Sequence, residues 1–155
     1  MDSKRFILAL TSGLMLSFDV LSTPSLNEMQ ECQAAIDFVV DTTDKLEALY
    51  STTELQVVRE GLVSYEDFIQ QEIITPGLLA YSQNDVKKVE DLQQQIDEYK
   101  RSITLRLTKH YGQERLFTDY AVMINGCAQK ALPSSTEDIA LLKNALETII
   151  RLAQQ

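Results

Sequence analysis

Residues 25–50 read SLNEMQECQAAIDFVVDTTDKLEALY, and the fold class follows from the spacing within this stretch. Ser25 followed by Glu28 is a capping box: a hydroxyl takes the backbone N–H three residues on, and the carboxylate reaches back. Pro24 stands just ahead of it, where a helix begins. Met29, Cys32, Ile36, Val39, Thr43, Leu46 and Tyr50 then recur at alternating intervals of three and four, which lays them along one face of a helix. Asp37, Asp41 and Asp44 fall beside that face and, with Glu47, read as a solvated acidic surface. Ser51-Thr52-Thr53 interrupts the pattern and caps a new helix.

The same arithmetic runs through the rest of the chain. Leu55, Val58, Leu62, Tyr65 and Ile69 mark a second helix, expected to end near Thr75 because a proline disfavours helical geometry at the residue before it. Pro76-Gly77 is the strongest breaker in the sequence. Beyond it LLAYSQ reads as a helical turn or a loop, with Ser82 or Asn84 capping a third helix. That helix carries Val89, Leu92, Ile96, Tyr99, Ile103 and Leu107, and stops at Tyr111-Gly112, where glycine suits a left-handed C-terminal residue. A fourth helix is expected from about Gln113 to Ala131, with Leu116, Tyr120, Met123 and Cys127 on one face. Asn125-Gly126 is its weak point, a mark of a kink or of close helix contact, since glycine costs about 1 kcal/mol against alanine in a helix interior. After Pro133, Ser134 with Glu137 or Ser135 with Asp138 opens a fifth, striped by Ile139, Leu142, Leu146, Ile149 and Ala153. No stretch alternates with period two. The expectation is an all-α, up-and-down bundle of four to five helices spanning 23–155 as a single domain.

Ahead of the bundle, Lys4 and Arg5 precede an uncharged run, Phe6 to Phe18 (FILALTSGLMLSF), which is shorter than the roughly 20 apolar residues that span a membrane. Positive charge, then a short apolar stretch, then small residues before a cut after Ser22 is the order of an export signal. Residues 1–22 are therefore read as a signal peptide, an uncleaved anchor being the variant reading, and the protein as periplasmic or secreted. A mature chain from Thr23 keeps enough length for one core.

Composition narrows the function. The 155 residues carry 14 basic and 23 acidic side chains, a net charge of −9. Nonspecific binding to nucleic acid or to anionic membrane needs a basic surface and is disfavoured. Lys87-Lys88 and Lys100-Arg101 are interspersed with acids and read as helix-surface pairs. The only histidine, His110, sits where a cation favours the C-terminal end of a helix dipole. No catalytic triad motif accompanies it. Di-metal bundle sites need paired Glu-x-x-His motifs, which one histidine cannot supply. No cofactor is expected, and Met29 with His110 could supply Met/His ligation in the haem alternative.

Cys32 and Cys127 both fall on apolar stripes. In an oxidising compartment they are expected to close one disulfide, the alternative being two buried thiols. Leu78, Leu79 and Tyr81, beside the Pro-Gly break, together with Tyr99, are the candidate lining of a groove for a ligand or a partner helix. The reading is an exported, non-enzymatic protein-interaction or accessory factor, chaperone-like in kind, whose partner is another envelope or secreted protein. A small-ligand or haem-binding bundle is the alternative.

Overall fold

The computed structural model describes residues 24–112 and 115–155, so the signal read over 1–22 lies outside the described residues. Every regular element among them is helical: α1 (Leu26–Lys45), α2 (Thr52–Phe68), a π-helical turn (Ile69–Ile74), α3 (Thr75–Tyr81), α4 (Val86–Tyr111), α5 (Thr118–Ala128) and α6 (Thr136–Ala153). Ser25 and Glu28 form the capping box of α1, Asp85 caps α4 through the Lys88 N–H, and Ser135 caps α6 through the Asp138 N–H.

The second helix does not stop at the proline. Thr75 N–H reaches five residues back to the Gln70 carbonyl. This widened turn makes room for the ring of Pro76, which then lies in the first turn of α3, where no donor is missed. The extra residue also resets the phase of the stripe: after Ile69 the buried positions are Ile74 and Leu78. From Thr52 to Tyr81 the chain is thus one rod with a wide turn inside it, and the bundle has five rods. Gln83 and Asn84, both at positive φ, turn the chain into α4.

The rods alternate in direction. Arg59 on α2 pairs with Asp44 near the end of α1, while Gln70 meets Gln33 near its start. On the other side of α2, Ser64 bonds Asp138, and Glu54 pairs with Arg151 across α6. The α2–α6 interface is the most extensive in the molecule. Its closeness depends on Gly61, where a Cβ would overlap the Leu141 carbonyl and come within 2.7 Å of the Ala145 Cβ. Helices α1, α2, α6 and α5 close a ring around one core, and α4 lies outside it, parallel to α1.

Position in this ring explains where the stripes hold and where they drift. Leu55, Val58, Leu62, Tyr65 and Ile69 are all buried as spaced. Helix α1 touches neighbours on several sides, so Ala34, Ala35 and Phe38 join its stripe in the interior. Helix α4 packs mainly on α1 and α3, meeting α2, the π-helical turn and α5 through single side chains, and of its 26 residues just Ile96 and Ile103 are buried. The start of the fourth helix is corrected from Gln113 to Thr118. The preceding residues Leu116 and Phe117 stay outside the helix, with Leu116 plugging the core and its N–H donating to the Tyr50 hydroxyl at 3.3 Å. Gly126 is not a close-contact position, since nothing lies within 4 Å of where its Cβ would be.

Cys32 on α1 and Cys127 on α5 are disulfide-bonded, their Cα atoms 5.7 Å apart and 95 positions apart in sequence. An aromatic cluster continues this seam, with Phe38 edge-on to Tyr120 at 5.1 Å and Tyr111 edge-on to Tyr120 at 5.2 Å. No helix among the described residues is long and apolar enough to cross a membrane.

Candidate functional site

Because α4 lies outside the ring, a groove opens between it, the start of α1 and α3. The π-helical turn re-aims α3 so that this short helix forms the third wall. Gly77 lets α3 lie against α1: a Cβ there would come within 2.6 Å of the Leu26 side chain. The result is a groove of about 480 Å³ between α1, α3 and α4. Leu26, Leu78, Leu92 and Ile96 give it an aliphatic floor, and Asn27, Gln30 and Gln95 bring three carboxamides. Tyr81, 77% exposed, and Tyr99, 40% exposed, are its two phenols. No lining residue carries a charge.

Three of the four residues picked from the sequence as a groove, Leu78, Tyr81 and Tyr99, meet here, and Leu79 lies half-buried elsewhere on α3. Residues from α1 and the carboxamides escaped the sequence reading. Leu26 and Asn27 precede the first buried stripe position, and Gln30 stands one residue off it. Only the placement of α4 on that side of α1 gives them a role.

Next to the groove, the α1–α2–α4 seam is polar. Gln33 donates to Gln70 at 3.0 Å, and Gln70 donates to Gln93 at 3.1 Å and to Thr75 at 3.0 Å. One helical turn further, Lys100 reaches both Asp37 and Glu66 at 3.1 Å. This corrects the reading of Asp37 as a solvent-facing acid and of Lys100 as a partner on its own helix surface: α4 crosses α1 here and brings the ammonium over both carboxylates. Burial, and then the charge of Asp37, push the Glu66 carboxyl above its ordinary value, with Lys100 pulling the other way. Burial works against the Lys100 ammonium, but Glu66 and Asp37 outweigh it and hold it above its usual value.

A second, more apolar groove of about 430 Å³ runs between α5 and α6, with Val122, Leu132, Ile139, Leu146 and Ile150 along it. Ile139 and Leu146 face this groove while Ala145 and Leu152 take the core, so the α6 stripe is turned from the spacing expected. It offers little beyond Asn125 and the mutually paired Lys143 and Glu147 to orient a ligand. Met29 is fully buried in the core, whereas His110 is exposed at the far end of α4, its ring edge-on to Tyr111 at 4.7 Å. Tyr111 in turn packs against Phe38, nine residues or about 14 Å of helix beyond Met29. Met29 and His110 are therefore not brought together. Among the described residues no group of three or more His, Cys, Asp or Glu is placed to hold a metal ion. No family model, curated protein or solved structure matches the chain.

Proposed function

We propose that this protein is an exported, non-enzymatic accessory factor that binds another protein of the envelope or secreted compartment through the groove between α1, α3 and α4. The observation that carries this is the groove itself: an aliphatic floor, an uncharged wall of carboxamides, and a phenol, Tyr81, left largely in solvent. Aromatic side chains with an apolar body and a polar tip are enriched where proteins meet. Export is supported by the basic-then-apolar order of Lys4 to Phe18 and by the Cys32–Cys127 bond, which persists in oxidising surroundings. A small uncharged ligand is the second reading, because the groove volume falls in the range of small-molecule sites.

The test is capture from the native envelope with wild-type protein and with Tyr81→Asp. That substitution places a charge on an exposed side chain and leaves the core alone. A protein retained by the wild type and lost with the variant supports the reading. Equal retention by both, or retention of no protein, contradicts it.

A further inference from the structure

We propose that the groove between α1, α3 and α4 takes an extended, uncharged segment of the partner chain, and that Gln30 selects it by hydrogen bonding to the segment's backbone. This rests on the protein-binding reading above and specifies its ligand. Gln30 is only 5% exposed, lines the groove, and has no hydrogen-bond partner for its carboxamide among the described residues. Its neighbour Gln33 is buried to the same degree and is satisfied, by Gln70. The Tyr120 hydroxyl is the one fully buried side-chain polar atom without a partner among the described residues, so the Gln30 carboxamide is met by water in the groove, and a ligand that enters can take that water's place bond for bond.

The chemistry of the ligand is set by the lining. A carboxamide presents one acceptor and donors side by side, which matches a peptide unit. In a helical ligand the backbone groups are already bonded to one another, whereas an extended segment has them free. Leu78, Leu92 and Ile96 beneath the carboxamides suit aliphatic side chains of the segment. A charged side chain entering the same place would lose its water, and the lining itself holds no acid or base that is charged at neutral pH; the carboxylate beside it, Glu31, lies outside the lining and already accepts from the Tyr99 hydroxyl at 3.3 Å.

The experiment is an NMR titration of the protein with the capped peptide acetyl-SLALS-amide and with acetyl-SLDLS-amide and acetyl-SLKLS-amide. The neutral peptide should shift the Gln30 side-chain NH2 signals and the Tyr81 ring, and bind at least tenfold more tightly than either charged one. Gln30→Leu, which keeps the packing, should weaken the neutral peptide about five- to tenfold, the share of one hydrogen bond. Unmoved Gln30 signals, equal binding of the three peptides, or a disaccharide shifting these signals where the peptide does not, would each overturn the proposal. So would loss of peptide binding in protein that retains residues 1–22, which would put the chain's own Phe6–Phe18 stretch in the groove. If Tyr81→Asp abolishes partner capture while the neutral peptide leaves Gln30 unmoved, the protein-binding reading stands and this inference alone fails.

Discussion

Two buried tyrosines show how little the identity of a residue says without its neighbours. Tyr65 donates its hydroxyl to the Ala131 carbonyl at 2.7 Å, tying α2 to the segment after α5. Tyr120 is fully buried and its hydroxyl has no partner among the described residues. Burial, with smaller contributions from Tyr111, Asp119 and Tyr50, pushes the Tyr120 hydroxyl up to about 12. Tyr65→Phe should therefore cost about 1 kcal/mol, whereas Tyr120→Phe should be neutral or stabilise by up to about 1 kcal/mol, both by urea denaturation at pH 8. From about pH 10 to 12 the unfolded chain releases the Tyr120 proton while the folded chain keeps it, so stability falls over that window. The fall should be shallower in Tyr120→Phe. A loss of more than about 1 kcal/mol in that variant at pH 8 would show that its hydroxyl is satisfied after all. Both tyrosines were legible in the sequence as stripe positions. Their hydroxyl partners were not, because those come from chain segments that spacing does not place.

At the scale of elements, the close helix contact falls at Gly61, on which the spacing was silent, and not at Gly126, where it was one of the two outcomes expected. Gly61 stands where α2 meets α6, and Gly126 faces open space on α5. Gly61→Ala should cost about 1–3 kcal/mol through overpacking, and Gly126→Ala should stabilise by about 0.5–1 kcal/mol through helix propensity. Thermal melts of the two variants moving the same way would contradict the assigned packing. The polar seam makes a second prediction. Lys100→Met leaves Asp37 and Glu66 facing one another and should cost on the order of 2 kcal/mol at pH 7, the seam being partly open to water. Glu66 has a folded value raised above its unfolded one, so the folded state takes up its proton first as pH falls from neutral toward the ordinary carboxyl range. The Lys100→Met loss should therefore shrink by pH 5, and Glu66→Gln should flatten the pH dependence of the wild type. A Lys100→Met loss that grows toward pH 5 would refute the charge arrangement. Helix phase was readable along nearly every rod here, from the alternation of threes and fours. The passage through Pro76 was not, although the five-residue step from Ile69 to Ile74 was its trace in the sequence.

The whole molecule is a ring of four helices with α4 and α3 laid on one side, and the disulfide ties α1 to its ring neighbour α5, a rod far from it in sequence. Cys32→Ser should lower the melting temperature, because closing a loop of about 100 residues contributes up to about 4.7 kcal/mol in the chain-entropy model. Two thiols freely alkylated in denatured, unreduced protein from its native source would contradict the bridge. The fold class could be argued from spacing, because it depends on which face of a helix a residue occupies; the pairing of Cys32 with Cys127 needed the expected oxidising compartment as well. The groove could be read only in part. Leu78, Tyr81 and Tyr99 advertise themselves as apolar or aromatic groups near a break, but the wall from α1 depends on where an amphipathic helix with few buried residues comes to rest. The central claim, that this groove meets another protein, is tested most directly by a photo-reactive phenylalanine analogue at Tyr81, with the same residue at Val63, exposed on α2, as the control. The account predicts a covalent adduct with one other protein from position 81 upon illumination in the native compartment and none from position 63. Adducts of equal yield from both positions, or none from position 81, would contradict it.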